Sequence, residues 1–361
     1  MRTRGPIAPG SPIVRVLALA LLAGAAACAP AARPAAPASA PAAPAAAAQP
    51  AAAQPAAAPR LETVSVLLDW FPDGYHSPFY VAREKGYYRE AGLEVEIHEG
   101  KGSGNVAQLV GTKNATFGFA EGAAVAKAIG QGIPVRMVAG IFRRSPLGLS
   151  YLKESGISGP KDLEGKTYGV VPSSASHSLW PAFLAANNID ESKITEVNIE
   201  PTGADAAMLT GRIQFTDAIV SGEPVRYAAA GKEGGILLFS DYGLTVVGHG
   251  IIANVDTIQE KPALTRGLVE ASLRAWDDAR KNPDEAVDIL RQSVPEKSRD
   301  IARAALLGTL PLLDAESTRG KPLGYQSEAD WDSTLQILAQ AGVTSLPKAD
   351  QIFTNDFVPA P

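Results

Sequence analysis

The chain has 361 residues, with 33 basic and 38 acidic side chains. Its first sixty residues contain five arginines and no Asp or Glu, so the remaining 301 residues hold 28 basic and 38 acidic side chains. This acidic body excludes nucleic-acid binding by bulk charge, because a surface that follows phosphates needs an excess of Lys and Arg.

The first sixty residues are predicted to be an export signal and a tether. In residues 1–27, three arginines flank an apolar run of about a dozen residues, shorter than the roughly 20 that a membrane-spanning helix needs. Small residues lead directly into Cys28, the only cysteine, which resembles a bacterial lipobox and implies a lipid anchor. Plain secretory cleavage beside an incidental cysteine is the alternative. Residues 28–60 are rich in Ala and Pro and predict an extended tether.

After the tether, apolar runs alternate with amphipathic segments. The patterns predict strands at 64–68, 93–97, 116–119 and 135–139, with helices at 78–91, 106–112 and 123–130, the first interrupted at Gly86. A second unit follows, with strands at 167–171, 196–199, 217–220 and 235–239 and helices at 178–187, 204–209 and 224–230. Beyond residues 250–253 the pattern is helical, with helices at 262–281, from Asn282-Pro283 onward, and at 328–341. The order predicts an α/β protein with mostly parallel sheets flanked by helices.

Two α/β units and a helical tail predict a molecule of two lobes. Lobe 1 is expected at residues 61–145 and 250–361, lobe 2 at residues 146–249, and the two chain crossings are expected to form a hinge. Ligands of parallel sheets bind beyond the carboxyl ends of the strands. The loops after the predicted strands should therefore line a cleft between the lobes.

The loop after the first strand carries the most chemistry. Trp70 and Tyr75 offer ring faces for stacking a flat ligand, with His76 beside them and Tyr80 in the following helix. Asp69 is predicted to accept hydrogen bonds from amino groups of such a ligand. The alternative is structural, with Trp70 filling its own lobe and Asp69 capping a turn.

Other loops at the same edge supply small and polar groups. Candidate ligand-binding residues there are Gly102, Ser103 and Gly104 as an anion cradle, Glu121, the serines Ser173, Ser174 and Ser176, and Glu223. Helix capping is the alternative role for Glu121 and the serines. The four histidines lack metal-ligand spacing and no cysteine follows Cys28, so neither a metal nor a cofactor is predicted.

Several segments together resemble a known family. They are Leu68-Asp69-Trp70-Phe71-Pro72, His76, Tyr80-Val81-Ala82-Arg83-Glu84-Lys85-Gly86-Tyr87-Tyr88 and Ala91-Gly92-Leu93-Glu94-Val95. They look like the opening of the thiamine-pyrimidine family of periplasmic binding proteins, which is close to the alkanesulfonate-, taurine- and nitrate-binding proteins. The loop continues with Asp73-Gly74-Tyr75-His76 where the pyrimidine proteins usually have Asn-Thr-Asn-His. The resemblance implies the type II periplasmic-binding-protein fold, with a two-strand hinge.

The resemblance implies a substrate-binding protein that delivers its ligand to an ABC permease and its ATPase. A thiamine pyrimidine precursor is the expected ligand; riboflavin, an alkanesulfonate, taurine, nitrate or an aromatic acid are alternatives. A pyrimidine-synthase-like enzyme is the alternative of another class, but the synthase has a cysteine-rich iron-binding segment and residues 61–361 contain no cysteine. We therefore expect an exported, monomeric, non-enzymatic protein that meets the membrane through its lipid anchor alone.

Overall fold

The computed structural model of the chain describes residues 61–172, 174–220 and 222–360. The predicted signal peptide, the lipid site at Cys28, the tether at residues 28–60 and the candidate residue Ser173 lie outside the described residues. Across the described ranges, no helix combines the length and the apolar character needed to cross a membrane.

Two five-stranded sheets organise the described part of the chain. The first contains, in spatial order, β2 (Leu93–His98), β1 (Glu62–Leu67), β3 (Phe117–Glu121), β10 (His249–Asn254) and β4 (Val135–Gly140). The second contains β7 (Thr195–Asn198), β6 (Thr167–Val170), β8 (Phe215–Ile219), β5 (Leu147–Leu152) and β9 (Gly234–Leu238).

Each sheet has one strand that opposes the common direction. Strand β10 runs antiparallel to β3 and β4, and β5 runs antiparallel to β8 and β9. The sheets are thus mixed, with most strands parallel, and the predicted α/β class is confirmed. Strand β5 is not predicted from the sequence, because all six of its residues are buried and the run lacks the alternation that marks a half-buried strand.

Helices cover both sheets. Those beside the first sheet are α1 (Ser77–Glu84), α2 (Tyr87–Glu90), α3 (Ser103–Gly111), α4 (Gly122–Gly130), α8 (Val255–Glu260), α9 (Pro262–Lys281), α10 (Pro283–Ser293), α11 (Arg299–Thr309), α12 (Glu328–Gln340) and α13 (Ala349–Ile352). Those beside the second sheet are α5 (Ala175–Ala186), α6 (Ala204–Leu209) and α7 (Glu223–Ala229). Below, lobe 1 denotes the first sheet with its helices and lobe 2 the second sheet with α5–α7.

Local sequence explains several helix boundaries. Gly86 separates α1 from α2, as predicted, because its φ of 79° lies in the left-handed region that favours glycine. Proline occupies the first turn of α1, α9 and α10, where its missing N–H costs no helical hydrogen bond.

The chain crosses between the sheets twice. It leaves β4 at Gly140 and enters β5 at Leu147, then leaves β9 at Leu238 and enters β10 at His249. The crossings are joined where the Ser145 backbone N–H donates to the Val246 carbonyl at 3.0 Å. The division predicted at residues 145/146 and 249/250 remains a proposal.

Large aromatic side chains form the interior of both lobes. Trp276 and Trp331 are fully buried among the helices of lobe 1, and Trp180 packs near Tyr168 and Phe215 in lobe 2. Full burial of each large apolar side chain contributes roughly 1.5–3 kcal/mol. These interiors hold the strand ends, and the loops that follow them, in fixed positions.

Candidate ligand-binding site

A cavity of about 250 Å³ lies between the two lobes, where β1 and β8 end. Eight of the predicted ligand-binding residues line it, namely Asp69, Trp70, Tyr75, Gly102, Ser103, Ser174, Ser176 and Glu223. Four others, His76, Tyr80, Gly104 and Glu121, do not line it, and Ser173 lies outside the described residues. Ligand contact by any of these residues stays a prediction.

An aromatic pair from lobe 1 forms one wall of the cavity. The rings of Trp70 and Phe71 meet edge to face, with centroids 5.9 Å apart and an interplanar angle of 77°. Both side chains are half-buried, and Trp70 packs against an apolar cluster of lobe 2 that includes Val171, Met208 and Tyr227. Trp70 therefore joins the lobes as well as lining the space between them.

Four side chains of lobe 1 form what we call the Asp69 cluster: Asp69, Tyr75, His76 and His249. His76 Nε2 lies 2.6 Å from Asp69 Oδ1, and His249 Nε2 lies 3.2 Å from Asp69 Oδ2. The Tyr75 hydroxyl donates to Asp69 Oδ2 at 3.3 Å. One carboxylate on the cavity wall thus contacts three side chains that can donate hydrogen bonds to it.

The backbone fixes the tautomer of His76. The Asp73 N–H donates to His76 Nδ1 at 3.1 Å, so the proton of the neutral ring lies on Nε2 and is donated to Asp69. Burial alone would raise the pKa of Asp69, but the neighbouring imidazoles of His249 and His76 hold it below its ordinary value. Burial and the Asp69 charge raise the pKa of Tyr75 well above its usual range, which keeps its hydroxyl a donor.

Like His76, the predicted residues Tyr80 and Glu121 lie in the protein interior instead of on the cavity wall. Tyr80 is buried in α1, with the Arg83 guanidinium 5.2 Å from its ring centroid. Glu121 is fully buried and caps α4, since its Oε2 accepts from the Ala124 N–H at 3.1 Å. Burial raises the pKa of Glu121 to about 8, so this carboxyl is mostly protonated at neutral pH.

The loop before α3 lines the cavity but is already engaged in hydrogen bonds. The Gly102 N–H donates to the Asp69 carbonyl at 2.7 Å, so it is used within the protein instead of being available to an anion. Ser103 Oγ accepts from the Glu121 N–H at 3.0 Å, which links Glu121 to the cavity wall. These bonds hold the α3 loop against the loop that follows β1.

In lobe 2, a second carboxylate organises the opposite wall. Ser174 Oγ donates to Asp217 Oδ2 at 2.6 Å and also accepts from the His177 N–H at 3.1 Å, capping α5. Asp217 accepts a further bond from the Tyr168 hydroxyl, and burial raises its pKa despite these donors. Ser174 thus both caps its helix and lines the cavity, while Ser176 lines the wall beside it.

A set of charged residues that line the cavity connects the two lobes. We call Asp73, Asp205, Glu223, Arg226 and Lys297 the Arg226 cluster. Arg226 Nε lies 2.6 Å from Asp205 Oδ2, and its Nη2 lies 2.9 Å from Glu223 Oε1. Arg226 Nη1 also lies 3.8 Å from Oδ2 of Asp73 in lobe 1, the atom that Lys297 Nζ approaches at 3.4 Å.

Six charged or titratable residues on the cavity wall were missed by the sequence analysis: Asp73, Asp205, Asp217, Arg226, His249 and Lys297. Asp73 lies within the loop already singled out, and Arg226 lies three positions after Glu223, one helical turn away, so both carried a local signal. Lys297 follows α10 far from any predicted cleft loop. Among the described residues, no group of three His, Cys, Asp or Glu side chains is suited to hold a metal ion.

Sequence comparisons relate the chain to a family of binding proteins. A family model described as NMT1/THI5 like matches residues 73–286. The riboflavin-binding protein RibY of Chloroflexus aurantiacus is 31% identical over 312 residues, which cover 84% of this chain and 88% of that protein. The formylaminopyrimidine-binding protein of Halalkalibacterium halodurans is 27% identical over 288 residues, covering 77% and 85% of the two chains.

A comparison with solved structures identifies the fold. The alkanesulfonate-binding protein SsuA from Xanthomonas axonopodis pv. citri aligns with a TM-score of 0.63 at 15% identity, covering 84% of this chain and 100% of that chain. At this identity the likeness concerns the fold alone. It confirms the predicted periplasmic-binding-protein fold.

Proposed function

Because the chain belongs to the NMT1/THI5-like family, we propose that it is the substrate-binding component of an ABC importer and captures a flat nitrogen heterocycle in its interlobe cavity. One observation carries the proposal: the half-buried Trp70–Phe71 pair lines the same cavity as three members of the Asp69 cluster, Asp69, Tyr75 and His249. Aromatic faces stack flat rings, and a few fixed polar groups orient them.

Riboflavin is the first ligand we propose. The relative that matches 84% of this chain is named a riboflavin-binding protein, which supports a flavin here. The Asp73-Gly74-Tyr75-His76 loop also departs from the form usual in pyrimidine-binding proteins. A thiamine pyrimidine precursor is the second candidate, favoured by the Leu68–Pro72 motif and by the formylaminopyrimidine-binding relative.

The charges on the cavity wall disfavour anionic ligands. The wall includes five carboxylic acids, Asp69, Asp73, Asp205, Asp217 and Glu223, against the cations Arg226 and Lys297. Arg226 already contacts Asp205 and Glu223 closely. A sulfonate, nitrate or aromatic acid would have to displace these carboxylates, so we rank these ligands below an uncharged heterocycle.

The proposed mechanism is closure of the lobes around the ligand. Trp70 packs on lobe 2, and Asp73 meets Arg226 across the cavity, so both contacts require the lobes to be close together. A ligand held between the walls would favour this closed arrangement by its differential affinity for it. The closed form would then dock on the permease.

Binding of a panel of ligands tests this function. We expect the purified protein to bind riboflavin or a pyrimidine precursor in calorimetry and to gain thermal stability, as mass action requires. Trp70→Ala should weaken binding by about tenfold or more, because it removes a stacking face and an interlobe contact. Tyr325→Ala, outside the cavity lining, is the matched control. Failure of the wild-type protein to bind any heterocycle in the panel would overturn the proposal.

We further propose export and a lipid anchor at Cys28, with residues 28–60 as the tether to the membrane. Cys28→Ala should then release the protein into the soluble fraction of cells. Fractionation and immunoblotting measure this directly. Unchanged membrane association of the variant would contradict the anchor while leaving ligand binding intact.

A pyrimidine-synthase-like activity is the function that we rank lowest. The absence of cysteine from residues 61–361 removes the thiols of the cysteine-rich iron-binding segment expected of the synthase. Incubation with the bound heterocycle, followed by mass spectrometry, should return the ligand unchanged. Turnover without an added enzyme would overturn the binding-protein assignment.

A further inference from the structure

His249 occupies an unusual position on the cavity wall. It is the first residue of β10, where the chain returns from lobe 2, and its side chain is fully buried. Its Nε2 contacts Asp69 Oδ2 at 3.2 Å. Its Nδ1 is buried and has no hydrogen-bond partner among the described residues.

The surroundings of His249 fix both its proton and its orientation. An ionised carboxylate only accepts hydrogen bonds, so Asp69 places the proton of the neutral ring on Nε2 and leaves the lone pair on Nδ1. The rings of Phe119 and Phe142 pack against the imidazole, with centroids 5.2 and 5.7 Å away. The result is a hydrogen-bond acceptor on a side chain that cannot readily turn.

Within the described part of the chain, His249 has an unpaired ring nitrogen, whereas its neighbour His76 has none. Both nitrogens of His76 are engaged, one by the Asp73 N–H and the other by Asp69. Asp69 itself already receives bonds from His76, His249 and Tyr75, which leaves it less acceptor capacity than the sequence analysis expected. Among the four members of the Asp69 cluster, His249 Nδ1 is the buried nitrogen that lacks a hydrogen-bond partner.

We propose that His249 is the specificity-determining residue of the site and that its Nδ1 accepts a hydrogen bond from the ligand's ring N–H. For riboflavin this donor is the imide N–H of the isoalloxazine ring. Asp69 acts as a positioning residue that holds the tautomer of His249. The inference rests on the proposed function, since it needs a heterocycle in the interlobe cavity.

A pair of ligands that differ in this one donor tests the role. Calorimetry compares riboflavin with riboflavin methylated at the imide nitrogen. The wild-type protein should prefer riboflavin by about tenfold or more, because the methylated ring cannot supply the donor and leaves Nδ1 unpaired. Equal affinities would overturn the inference but leave the proposed function standing. If neither ligand nor any pyrimidine precursor binds, both are overturned.

Two substitutions of His249 distinguish the role of its Nδ1 from that of its Nε2. His249→Gln can still donate to Asp69 but lacks an acceptor at the Nδ1 position, so it should bind the two flavins equally. His249→Asn can place its carbonyl oxygen near the Nδ1 position and should retain part of the preference. His98→Gln changes an exposed histidine away from the cavity and serves as the control. A His249→Gln protein that keeps the full preference would overturn the inference.

Nitrogen NMR of the imidazoles in the wild-type protein provides a readout that does not depend on variant folding. The chain has four histidines, so few signals need assignment. In the neutral His249 ring we expect the proton on Nε2, and the Nδ1 resonance should move when riboflavin is added. A proton on Nδ1 in the free protein would overturn the inference.

Discussion

The two polar clusters on the cavity wall are built in different ways. All four members of the Asp69 cluster belong to lobe 1, and their hydrogen bonds do not depend on where lobe 2 lies. The Arg226 cluster takes Asp73 and Lys297 from lobe 1 and its other three members from lobe 2. Under the proposed function, we therefore expect the first cluster to recognise the ligand in the open protein and the second to change when the lobes close.

The two clusters also differ in how much their contacts contribute in free energy. All four side chains of the Asp69 cluster are buried, so removing one partner leaves desolvated groups unpaired at a substantial cost. Arg226 is about one quarter exposed, and its 3.8 Å approach to Asp73 is a loose, solvent-screened contact worth about 1 kcal/mol or less. Variants of the two clusters should consequently differ in the size and kind of their effects.

The largest expected effect is that of Asp69→Asn. The amide has one oxygen and one donor group, so it cannot accept from His76 and His249 as the carboxylate does, and one imidazole must lose its bond or change tautomer. We expect a loss of about 2–3 kcal/mol in ligand binding, together with a lower melting temperature. Calorimetry and thermal melting measure the two effects.

Asp205→Asn in the Arg226 cluster is the matched control for Asp69→Asn, since it makes the same chemical change at a carboxylate that is also on the cavity wall. It should weaken binding much less, because the Asp205 side chain is only half-buried and Arg226 keeps Glu223 as a partner. Similar losses for the two variants would remove the distinction between a recognition cluster and a closure cluster.

The sequence groups residues correctly where their contacts are local, although ligand contact by these residues stays a prediction. Asp69, Tyr75 and His76 lie within eight residues, and the glycine break between α1 and α2 is set by backbone conformation alone. Sequence reasoning failed for His249, which is 180 residues from Asp69 and reaches it through an antiparallel strand inserted in the sheet. The order of strands in space, and thus which distant residues meet, is not encoded in local periodicity.

Local sequence also does not show which partners a polar group will find, and this explains the candidate residues whose polar groups are not turned to the cavity. A loop position after a strand indicates proximity to the cleft but not side-chain direction. Glu121 follows the core of β3 as expected, yet its carboxyl turns to the start of α4 because the helix N–H groups need an acceptor. The Gly102 N–H was predicted to meet an anion but is used by the Asp69 carbonyl.

Arg226→Gln is the second prediction and should have an intermediate effect on binding. It removes the ionic contact with Asp73 and leaves Asp205 and Glu223 without their cation. We expect ligand affinity to fall by about fivefold, mainly through faster dissociation from a less stable closed form. Stopped-flow fluorescence measures dissociation, and small-angle scattering should show a larger radius for the liganded variant.

Arg299→Gln is the control for this variant, because it breaks a surface network with Asp284 and Asp288 that does not line the cavity. A double-mutant cycle between Asp73→Asn and Arg226→Gln should give a coupling of about 0.5 kcal/mol. Unchanged dissociation in Arg226→Gln would show that this contact plays no part in closure.

The smallest effect is expected from Glu121→Gln. This variant tests whether the buried Glu121 carboxyl, next to His249 in the sheet, is protonated at neutral pH. Glu121 pairs with His249 in the ladder between β3 and β10, and its backbone N–H donates to Ser103 on the cavity wall. The folded protein holds the Glu121 proton up to about pH 8, whereas an unperturbed carboxyl loses it near pH 4.5. Between these values the unfolded state binds fewer protons, so stability falls as pH rises and levels off above pH 8.

Glutamine keeps an oxygen to cap α4 but cannot ionise, so Glu121→Gln should remove this contribution. We expect the variant's melting temperature to fall less than that of wild type between pH 5 and pH 8, with a difference of ~3 °C at pH 8. Glu94→Gln, a more exposed carboxyl in a surface pair, is the control and should retain the wild-type slope. If melting temperature depends on pH in Glu121→Gln as it does in the wild type, another group produces the dependence. The Glu121 carboxyl would then already be ionised at neutral pH.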